Sequence, residues 1–266
     1  MTTFQSIIIA IVEGITEFIP ISSTAHMRIT ENILGLSNTD KFTEVFTIAI
    51  QLGAILSVVV LYWKKFLDFS RLSLYVKLIV AVIPSLLIGK LFKGYIDDVL
   101  EKPLVIAIVI LAGGIVLLFV DNWFKNPRIH KEEEITKMKA FQIGICQCLA
   151  IVFPGLSRSA ATIIGGMSLK LDRSLAAEFS FLLAVPTMLA ATVYSLYKYT
   201  KDYGSFTHEQ IKLLCTGNAV AFIVALIAIK FFISMLKKYG FRIWGIYRVI
   251  LGIALLVMIY TGFLKS

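Results

Sequence analysis

Residues 4–26 read FQSIIIAIVEGITEFIPISSTAH, an apolar segment that carries two glutamates and then stops at a proline. Residues 140–162 read AFQIGICQCLAIVFPGLSRSAAT and repeat the pattern. At an offset of 134, three positions align in pairs: Pro20 with Pro154, Ser23 with Ser157, and Glu13 with Gln147. Because proline ends a helix and Ser or Thr caps the next one, each segment is predicted to form a helix, a break and a second helix.

The composition excludes a soluble domain. Hydrophobic residues make up 58% of the 266 positions and charged residues 16%, with a mean hydropathy of +0.85. A soluble globule is about half apolar and about a quarter charged. The net charge of +9 comes from cations clustered between apolar runs, so it predicts cytoplasmic loops rather than a nucleic-acid surface. Three cysteines lie in apolar stretches without disulfide or zinc spacing and are predicted to pack in the core: Cys146, Cys148 and Cys215.

Six apolar runs are long enough to cross the roughly 30 Å of hydrocarbon in a bilayer. They cover residues 43–63, 74–92, 103–123, 175–198, 210–232 and 241–264. A second alignment, of EVFTIAIQLGAIL with AEFSFLLAVPTML, brings Phe46 onto Phe179 at an offset of 133. We therefore predict a single membrane domain, 1–266, made of two homologous repeats, 1–123 and 139–264, that are joined by a charged loop, 124–138.

The number of spanning helices in each repeat, odd or even, determines how the two repeats are oriented relative to each other. If each broken segment is a re-entrant helix pair, each repeat has three spanning helices, and an odd number inverts the second repeat relative to the first. The loops then divide into a side with 15 Lys and Arg and a side with 9, and the first side is predicted to be cytoplasmic. The predicted fold is all-α: a polytopic integral membrane protein with two inverted repeats, whose re-entrant tips approach each other near mid-membrane. Eight full crossings are the alternative.

Ionisable residues inside an apolar segment are costly, about 2.5–3.5 kcal/mol each on insertion scales, and therefore indicate function. Glu13 and Glu17 are four residues apart and lie on one helix face. Such a pair predicts a site that needs negative charge or a proton acceptor, and it supplies candidate ligands for a divalent cation, Mg²⁺ or Ca²⁺. A buried structural pair bonded to neighbouring helices is the alternative.

Each helix after a break begins with free backbone N–H groups and the positive end of its dipole. The two starts carry Ser22, Ser23 and Thr24 in one repeat and the sequence SRS at 157–159 in the other. If the tips meet, these groups and Arg158 converge on a site for an anion, and phosphate is the natural candidate. In the alternative, the hydroxyls only cap the turns and Arg158 pairs with a glutamate.

Two segments resemble the signature motifs of the undecaprenyl-diphosphate phosphatase family, also called bacitracin-resistance proteins: EGITEFIPISSTAH at 13–26 and PGLSRSAAT at 154–162. The resemblance extends to FTIAIQLGAILSVV (46–59), EFSFLLAVPTMLAAT (178–192) and YRVILG (247–252), so it covers nearly the whole chain. One departure is Ala160, where the family usually has glycine. The extra methyl group removes no chemical group from the motif.

The resemblance implies hydrolysis of undecaprenyl diphosphate to the monophosphate in the bacterial inner membrane, at a site that opens to the outer face. That reaction recycles the lipid carrier of cell-wall synthesis and gives bacitracin resistance. Carried over by motif position, the catalytic residues are Ser23, His26, Glu17 and Arg158. With the neighbouring hydroxyls included, the predicted substrate-binding residues are Glu13, Ser22, Thr24, Ser157, Ser159 and Thr162, and the candidate metal ligands are Glu13 and Glu17.

Each predicted site residue has an expected role. Ser23, at a helix start, is predicted to be the nucleophile, with hydrogen bonding to substrate as the alternative. His26, three residues further on, would act as base or acid, and Glu17 would orient a base or hold the cation. Arg248, inside the last span, would contact phosphate or make a structural pairing.

A lipid transporter or flippase is the alternative function, because inverted repeats with broken helices at mid-membrane occur in many transporters. A carrier needs no nucleophile, so the hydroxyl, the imidazole and PGLSRSAAT together favour the phosphatase. The predicted partners are a polyprenyl diphosphate lipid and membrane lipids, without nucleic acid. Whether copies of the chain form a homo-oligomer stays open.

Overall fold

The computed structural model describes residues 1–36, 40–68, 71–91 and 102–262. Within these ranges the chain is helical, apart from loops, one 3-10 turn at Glu132–Glu134 and an isolated parallel bridge between Ile129 and Leu171. This part of the chain contains no strand, and the predicted all-α class is confirmed. Most of loop 90–102 and the end of the chain, which enter the cation count, lie outside the described residues.

The described helices are, in chain order, α1 (Thr3–Thr16), α2 (Ser23–Ile33), α3 (Lys41–Ala49), α4 (Gln51–Leu61), α5 (Trp63–Phe66), α6 (Leu72–Leu91), α7 (Pro103–Trp123), α8 (Lys137–Val152), α9 (Arg158–Ser168), α10 (Arg173–Tyr203), α11 (His208–Tyr239) and α12 (Arg242–Tyr260). Among them, six segments are long and apolar enough to cross a membrane: α3 with α4, most of α6, and the whole of α7, α10, α11 and α12. The six predicted spans are confirmed in number and order, and the protein is a multi-pass membrane protein.

Two spanning helices extend further than their apolar runs. α10 continues to Tyr203 and α11 to Tyr239, whereas hydropathy predicts ends at 198 and 232. The additional turns carry Lys and Tyr, whose long side chains combine an apolar body with a polar end. Hydropathy detects the apolar part of each helix and does not detect the more polar turns with which the helix continues.

The outer surface of the spanning helices is apolar. Large exposed aliphatic side chains occur along several of them, such as Ile79, Leu87, Ile108, Ile227 and Ile250. Polar side chains are instead buried in the interior, among them Glu13, Gln147 and Arg248. This arrangement is expected for a protein whose surroundings are hydrocarbon and whose polar groups must find partners inside.

Each broken segment forms two short helices joined by a tight turn. α1 ends at Thr16 and α2 begins at Ser23, while α8 ends at Val152 and α9 begins at Arg158. α1 packs against α2, and α8 packs against α9. Both segments therefore fold back on themselves as helix pairs, as the sequence predicts.

The helices of the two predicted repeats pack reciprocally. α1 packs against α11 and α8 packs against α6, so each broken segment lies on the second spanning helix of the other repeat. The first spans meet as α4 and α10, and the third spans meet as α7 and α12. This reciprocal packing is expected if the chain consists of two homologous halves. Their inversion across the membrane and the repeat boundaries stay predictions.

Two glycines allow close contacts between these helices. A Cβ atom at Gly144 in α8 would lie 2.1 Å from the carbonyl oxygen of Ala81 in α6. A Cβ atom at Gly53 in α4 would lie equally close to the carbonyl oxygen of Asn218 in α11. The Gly53 N–H also donates a hydrogen bond of 2.7 Å to the Asn218 side chain. Small residues let membrane helices pack through their backbones, and these contacts set the position of α8 and α11 in the bundle.

Candidate active site at the two helix breaks

The two helices that follow the breaks start with the same unusual backbone. Ser22 precedes α2 with φ 72° and Ser157 precedes α9 with φ 75°, both in the left-handed region that residues other than glycine rarely adopt. The equivalent helix starts are therefore Ser23 and Arg158, at an offset of 135. The predicted alignment of Ser23 with Ser157 is wrong by one residue, because the second break has one more residue between its proline and its helix.

The two helix starts differ in how they are capped. The Ser157 hydroxyl accepts a hydrogen bond of 3.3 Å from the Ala160 N–H, which is the predicted cap. The Ser22 side chain makes no such bond. Because Ser22 does not cover the N–H groups in the first turn of α2, this terminus is the more open of the two toward an anion.

Glu17 joins the two tips. The Ser23 hydroxyl donates a hydrogen bond of 2.6 Å to Glu17 Oε2. Arg158 Nη2, from the other predicted repeat, donates to Glu17 Oε1 at 3.0 Å. This contact joins the two tips and brings three of the four predicted catalytic residues together. The position of the tips near mid-membrane stays a prediction.

The Arg158 guanidinium is held on several sides. Its Nη1 donates to the Ser180 carbonyl at 3.1 Å, and its plane lies over the Phe18 ring at 5.8 Å from the ring centroid. Its Nε is buried without a hydrogen-bond partner. Arg158 therefore pairs with a glutamate, as one of the two alternatives from sequence proposes, and it also keeps a donor that protein atoms do not use.

The remaining hydroxyls of the second motif mostly bond to protein atoms. Ser159 lies 2.9 Å from the Ser157 hydroxyl and donates to the Ile19 carbonyl at 3.2 Å, which ties α9 to the first tip. The Thr162 and Ser180 hydroxyls lie 2.6 Å apart. Ser159 and Thr162 are buried, so they position the site from within. Ser180 is not among the predicted residues, although it lies in the segment EFSFLLAVPTMLAAT.

His26 forms its hydrogen bonds with partners other than the Glu17 carboxylate. Its Nδ1 lies 2.7 Å from the Ser22 carbonyl oxygen, and its Nε2 lies 2.6 Å from the hydroxyl of Tyr247 in α12. Ser23, whose hydroxyl donates to Glu17, is not a hydrogen-bond partner of either ring nitrogen. Thr24, the next residue in this helix turn, is exposed. The sequence does not predict Tyr247, although it begins the segment YRVILG.

Glu13 lies beside Glu17 in the interior. Its side chain is 1% exposed and contacts the Glu17 carboxyl, and its Oε1 has no hydrogen-bond partner. Among the described residues, no group of three or more His, Cys, Asp or Glu side chains is arranged for a metal ion. The two carboxyls and the Ser23 hydroxyl nevertheless supply oxygen atoms that can act as metal ligands, the type that Mg²⁺ and Ca²⁺ prefer. These residues therefore fit a cation that completes its coordination shell with oxygen atoms of the substrate.

Arg248 is fully buried and bonds only to backbone carbonyls. Its Nη1 donates to Leu156 at 2.8 Å and to Pro20 at 3.2 Å, and its Nη2 donates to Gly155 at 2.9 Å. In α7, its Nε donates to the Ile110 carbonyl at 3.2 Å and its Nη2 to the Val109 carbonyl at 3.4 Å. One guanidinium therefore connects both helix breaks to the third spanning helix of the first repeat. Of the two roles expected for Arg248, the structural one agrees with these contacts.

Two glycines in α7 make room for this side chain. A Cβ atom at Gly113 would lie 2.4 Å from Arg248 Nη2, and one at Gly114 would lie 2.8 Å from Arg248 Cβ. α7 and α12 therefore pack closely enough to enclose a guanidinium between them. No local pattern in the sequence indicates this pairing of two glycines with one arginine.

A separate charged cluster ties the charged loop to the helices. Lys65 in α5 forms ion pairs with Glu132 in the loop and with Glu178 in α10. Burial lowers the pKa of Lys65, but its hydrogen bonds to the two carboxylates outweigh that effect and hold the pKa above its ordinary value. Lys65 therefore stays charged and links α5, the loop and α10.

The fold and the site define a class of protein: an all-helical, multi-pass membrane protein whose two helix breaks meet in a buried, charged site. The Bacitracin resistance protein BacA family matches this chain over residues 6–254, and the chain belongs to that family. A protein of Flavobacterium psychrophilum named undecaprenyl-diphosphatase is 56% identical over 97% of this chain and 96% of its own length. Proteins with the same name from Porphyromonas gingivalis and Aquifex aeolicus are 50% and 44% identical, over 98% and 99% of both chains.

Proposed function

We propose that this protein hydrolyses undecaprenyl diphosphate to undecaprenyl phosphate and inorganic phosphate. The reaction recycles the lipid carrier of cell-wall synthesis and gives bacitracin resistance. The names of its relatives support the proposal over the full length of the chain. The observation that carries it is the position of Glu17, whose carboxylate contacts both the Ser23 hydroxyl and the Arg158 guanidinium where the two helix starts meet.

Binding of the diphosphate relies on fixed positive charge. Phosphoryl transfer depends mainly on positioning and on neutralising the charge of the phosphate oxygens. Arg158 supplies a planar guanidinium whose Nε is still without a partner. The start of α2 supplies backbone N–H groups and the positive end of a helix dipole beside Ser23.

The contact between Ser23 and Glu17 supports a covalent route. The Ser23 oxygen attacks the terminal phosphorus, and its proton passes to Glu17 Oε2, 2.6 Å away. The bond between phosphorus and the bridging oxygen breaks, and its electron pair leaves with undecaprenyl phosphate. Water then cleaves the phosphoserine, and Glu17 returns the proton to the Ser23 oxygen.

Direct attack by water is the alternative route. In that case Glu17 or His26 would take the proton of the attacking water, and Ser23 would only bind a phosphate oxygen. Both routes use Arg158 and the start of α2 in the same way. They differ in whether phosphate becomes attached to Ser23.

Glu13 and Glu17 would hold a divalent cation such as Mg²⁺ or Ca²⁺ during the reaction. The free Oε1 of Glu13 supports this proposal, because a buried carboxylate oxygen without a partner is suited to a hard cation. When bound, the cation supplies further neutralisation of the diphosphate charge. Glu17 would therefore have two roles, as a ligand of the cation and as the acceptor of a proton.

We place the protein in the bacterial inner membrane, with the active site open to the outer face. The excess of Lys and Arg on one predicted side, 15 against 9, supports a cytoplasmic position for the charged loop 124–138. The break between α1 and α2 would then open outward. The lipid tail of the substrate would lie in the bilayer beside the apolar outer surface of the helices.

Phosphate release from undecaprenyl diphosphate by the purified protein in detergent tests the function. Detergent micelles hold no gradient, so a carrier would release no phosphate. We expect release by the wild-type protein and none by Arg158→Ala. Arg128→Ala removes an exposed arginine from the charged loop and serves as the matched control with unchanged activity. A folded wild-type protein that releases no phosphate would overturn the proposal in favour of a transporter.

A further inference from the structure

The hydroxyl of Tyr247 and the imidazole of His26 form a pair that links α12 to α2. The hydroxyl lies 2.6 Å from His26 Nε2, and the two rings are nearly parallel, with an interplanar angle of 9° and centroids 5.7 Å apart. The partners are 221 positions apart in the sequence, so this is a contact of tertiary structure. Tyr247 is 42% exposed, so its ring is accessible from outside the protein interior.

The partners of His26 determine where its proton lies. The Ser22 carbonyl oxygen, 2.7 Å from Nδ1, can only accept a hydrogen bond, so Nδ1 carries the hydrogen. In the neutral ring, Nε2 therefore has the lone pair, and the Tyr247 hydroxyl donates to it. Both ring nitrogens are thus engaged. A proton that reaches the basic nitrogen from the reacting groups must come through the tyrosine oxygen.

Tyr247 is held in place by the next residue of its helix. Arg248 is fully buried and bonds to the carbonyls of both helix breaks, including Pro20, two residues before Ser22. The segment of α12 that carries the tyrosine is therefore fixed relative to the segment that carries His26. A tyrosine hydroxyl can both donate and accept a hydrogen bond, so the pair persists whether Nε2 has the lone pair or carries a proton.

We infer that Tyr247 is a further catalytic residue, which relays a proton between the attacking water and His26. As the water oxygen bonds to phosphorus, its proton passes to the Tyr247 oxygen, and the proton of Tyr247 passes to His26 Nε2. The tyrosine ends unchanged, and the imidazolium is stabilised by the Ser22 carbonyl. His26 later returns the proton to the phosphate product by the reverse path. This inference rests on the proposed function and makes His26, through Tyr247, the base for the attacking water in both routes. That water cleaves the phosphoserine in the covalent route and attacks the diphosphate in the direct route.

The variant Tyr247→Phe removes the relaying oxygen and keeps the ring. We expect kcat to fall by roughly 10²-fold or more, the lower end of general acid–base effects, with KM changed less than about threefold, because the phosphate ligands stay in place. Tyr260→Phe, at the exposed end of the same helix, is the matched control and should keep wild-type kcat. A Tyr247→Phe enzyme with half or more of the wild-type kcat would overturn the relay.

A double-mutant cycle tests whether the tyrosine acts through the histidine. If it does, Tyr247→Phe should cost less than about twofold in a His26→Ala background, because the relay has already lost its acceptor. Equal losses in both backgrounds would show that Tyr247 acts independently, and the inference would be wrong.

Nitrogen NMR of protein labelled with ¹⁵N-histidine gives a readout that does not require activity. The chain has three histidines, so the His26 signals can be assigned by their loss in His26→Ala. We expect a neutral ring protonated at Nδ1, with an Nε2 signal that shifts in Tyr247→Phe and not in Tyr260→Phe. An unshifted Nε2 signal would exclude the pair even if phosphate release is observed. A shifted signal without phosphate release by the wild type would confirm the pair and contradict the proposed function.

Discussion

Ser22 and Ser157 hold the same left-handed backbone, with φ of 72° and 75°, and each stands immediately before the first residue of a helix that enters the site. A residue other than glycine in such a conformation costs about 1–3 kcal/mol and persists where the surrounding structure demands it. This backbone conformation precedes a helix start in each repeat, and the first helical residue is Ser23 in one repeat and Arg158 in the other. Both of these residues then bond to Glu17.

Glycine at position 22 should relieve this strain. Ser22→Gly loses no cap bond, because the Ser22 hydroxyl makes none, and its stability should rise by about 1 kcal/mol. Ser157→Gly loses the bond to the Ala160 N–H and should gain less. Thermal unfolding of both variants in detergent measures the difference. A lower unfolding temperature for Ser22→Gly than for the wild type would show that the backbone at Ser22 is not strained.

Lysine cannot replace Arg158. One ammonium group cannot bond simultaneously to Glu17, to the Ser180 carbonyl and to a phosphate oxygen in the geometry of a planar fork. We expect Arg158→Lys to lose about 10²-fold or more in kcat/KM, the usual effect of removing a preorganised donor. Phosphate release assays measure this loss. Near-normal turnover by the lysine variant would show that the planar guanidinium geometry of Arg158 is not required for the reaction.

Ser23→Ala distinguishes the two routes. If Ser23 attacks phosphorus, we expect turnover to fall by at least about 10³-fold while substrate binding is largely kept. Label from the terminal phosphate should be trapped on Ser23 of the wild-type protein after an acid quench. Ser168→Ala, an exposed hydroxyl at the end of α9, is the control. A Ser23→Ala enzyme that keeps a tenth or more of its activity would end the covalent route and leave attack by water.

Arg248 should be required for stability as well as for activity. Arg248→Met leaves the carbonyls of Pro20, Gly155 and Leu156 without their donor, and each buried unpaired group costs roughly 1–3 kcal/mol. We expect Arg248→Met to lower the unfolding temperature more than Arg248→Lys does, since lysine keeps part of the bonding. Arg242→Met, in the first turn of the same helix, is the exposed control. Equal midpoints for Arg248→Met and Arg242→Met would refute this role.

Labelling of single cysteines tests the orientation. In a background that lacks Cys146, Cys148 and Cys215, we introduce Asn32→Cys near the end of α2 and Asn126→Cys in the charged loop, both exposed positions. An impermeant thiol reagent should label position 32 in intact cells, and position 126 only after permeabilisation. Labelling of both from the same side would show that the inverted arrangement is wrong.

The candidate site was predictable from the sequence in part. Glu17, Ser23 and Arg158 were identifiable because charge and hydroxyl groups at a helix break are unusual inside apolar segments. The sequence did not predict how Ser159 and Thr162 contribute to the site. Both are buried and bond to the first tip or to α10, which follows from how the helices pack and not from their own positions in the motif.

The local sequence was sufficient for the six spans and the two helix breaks, because hydropathy and the effects of proline and serine act over a few neighbouring residues. Packing alone established which groups meet. The Tyr247 hydroxyl at His26 and the Arg248 guanidinium at the carbonyls of both breaks join distant parts of the chain. Arg248 must satisfy its donors inside a region without water, so its partners depend on which backbone carbonyls the folded helices bring within reach.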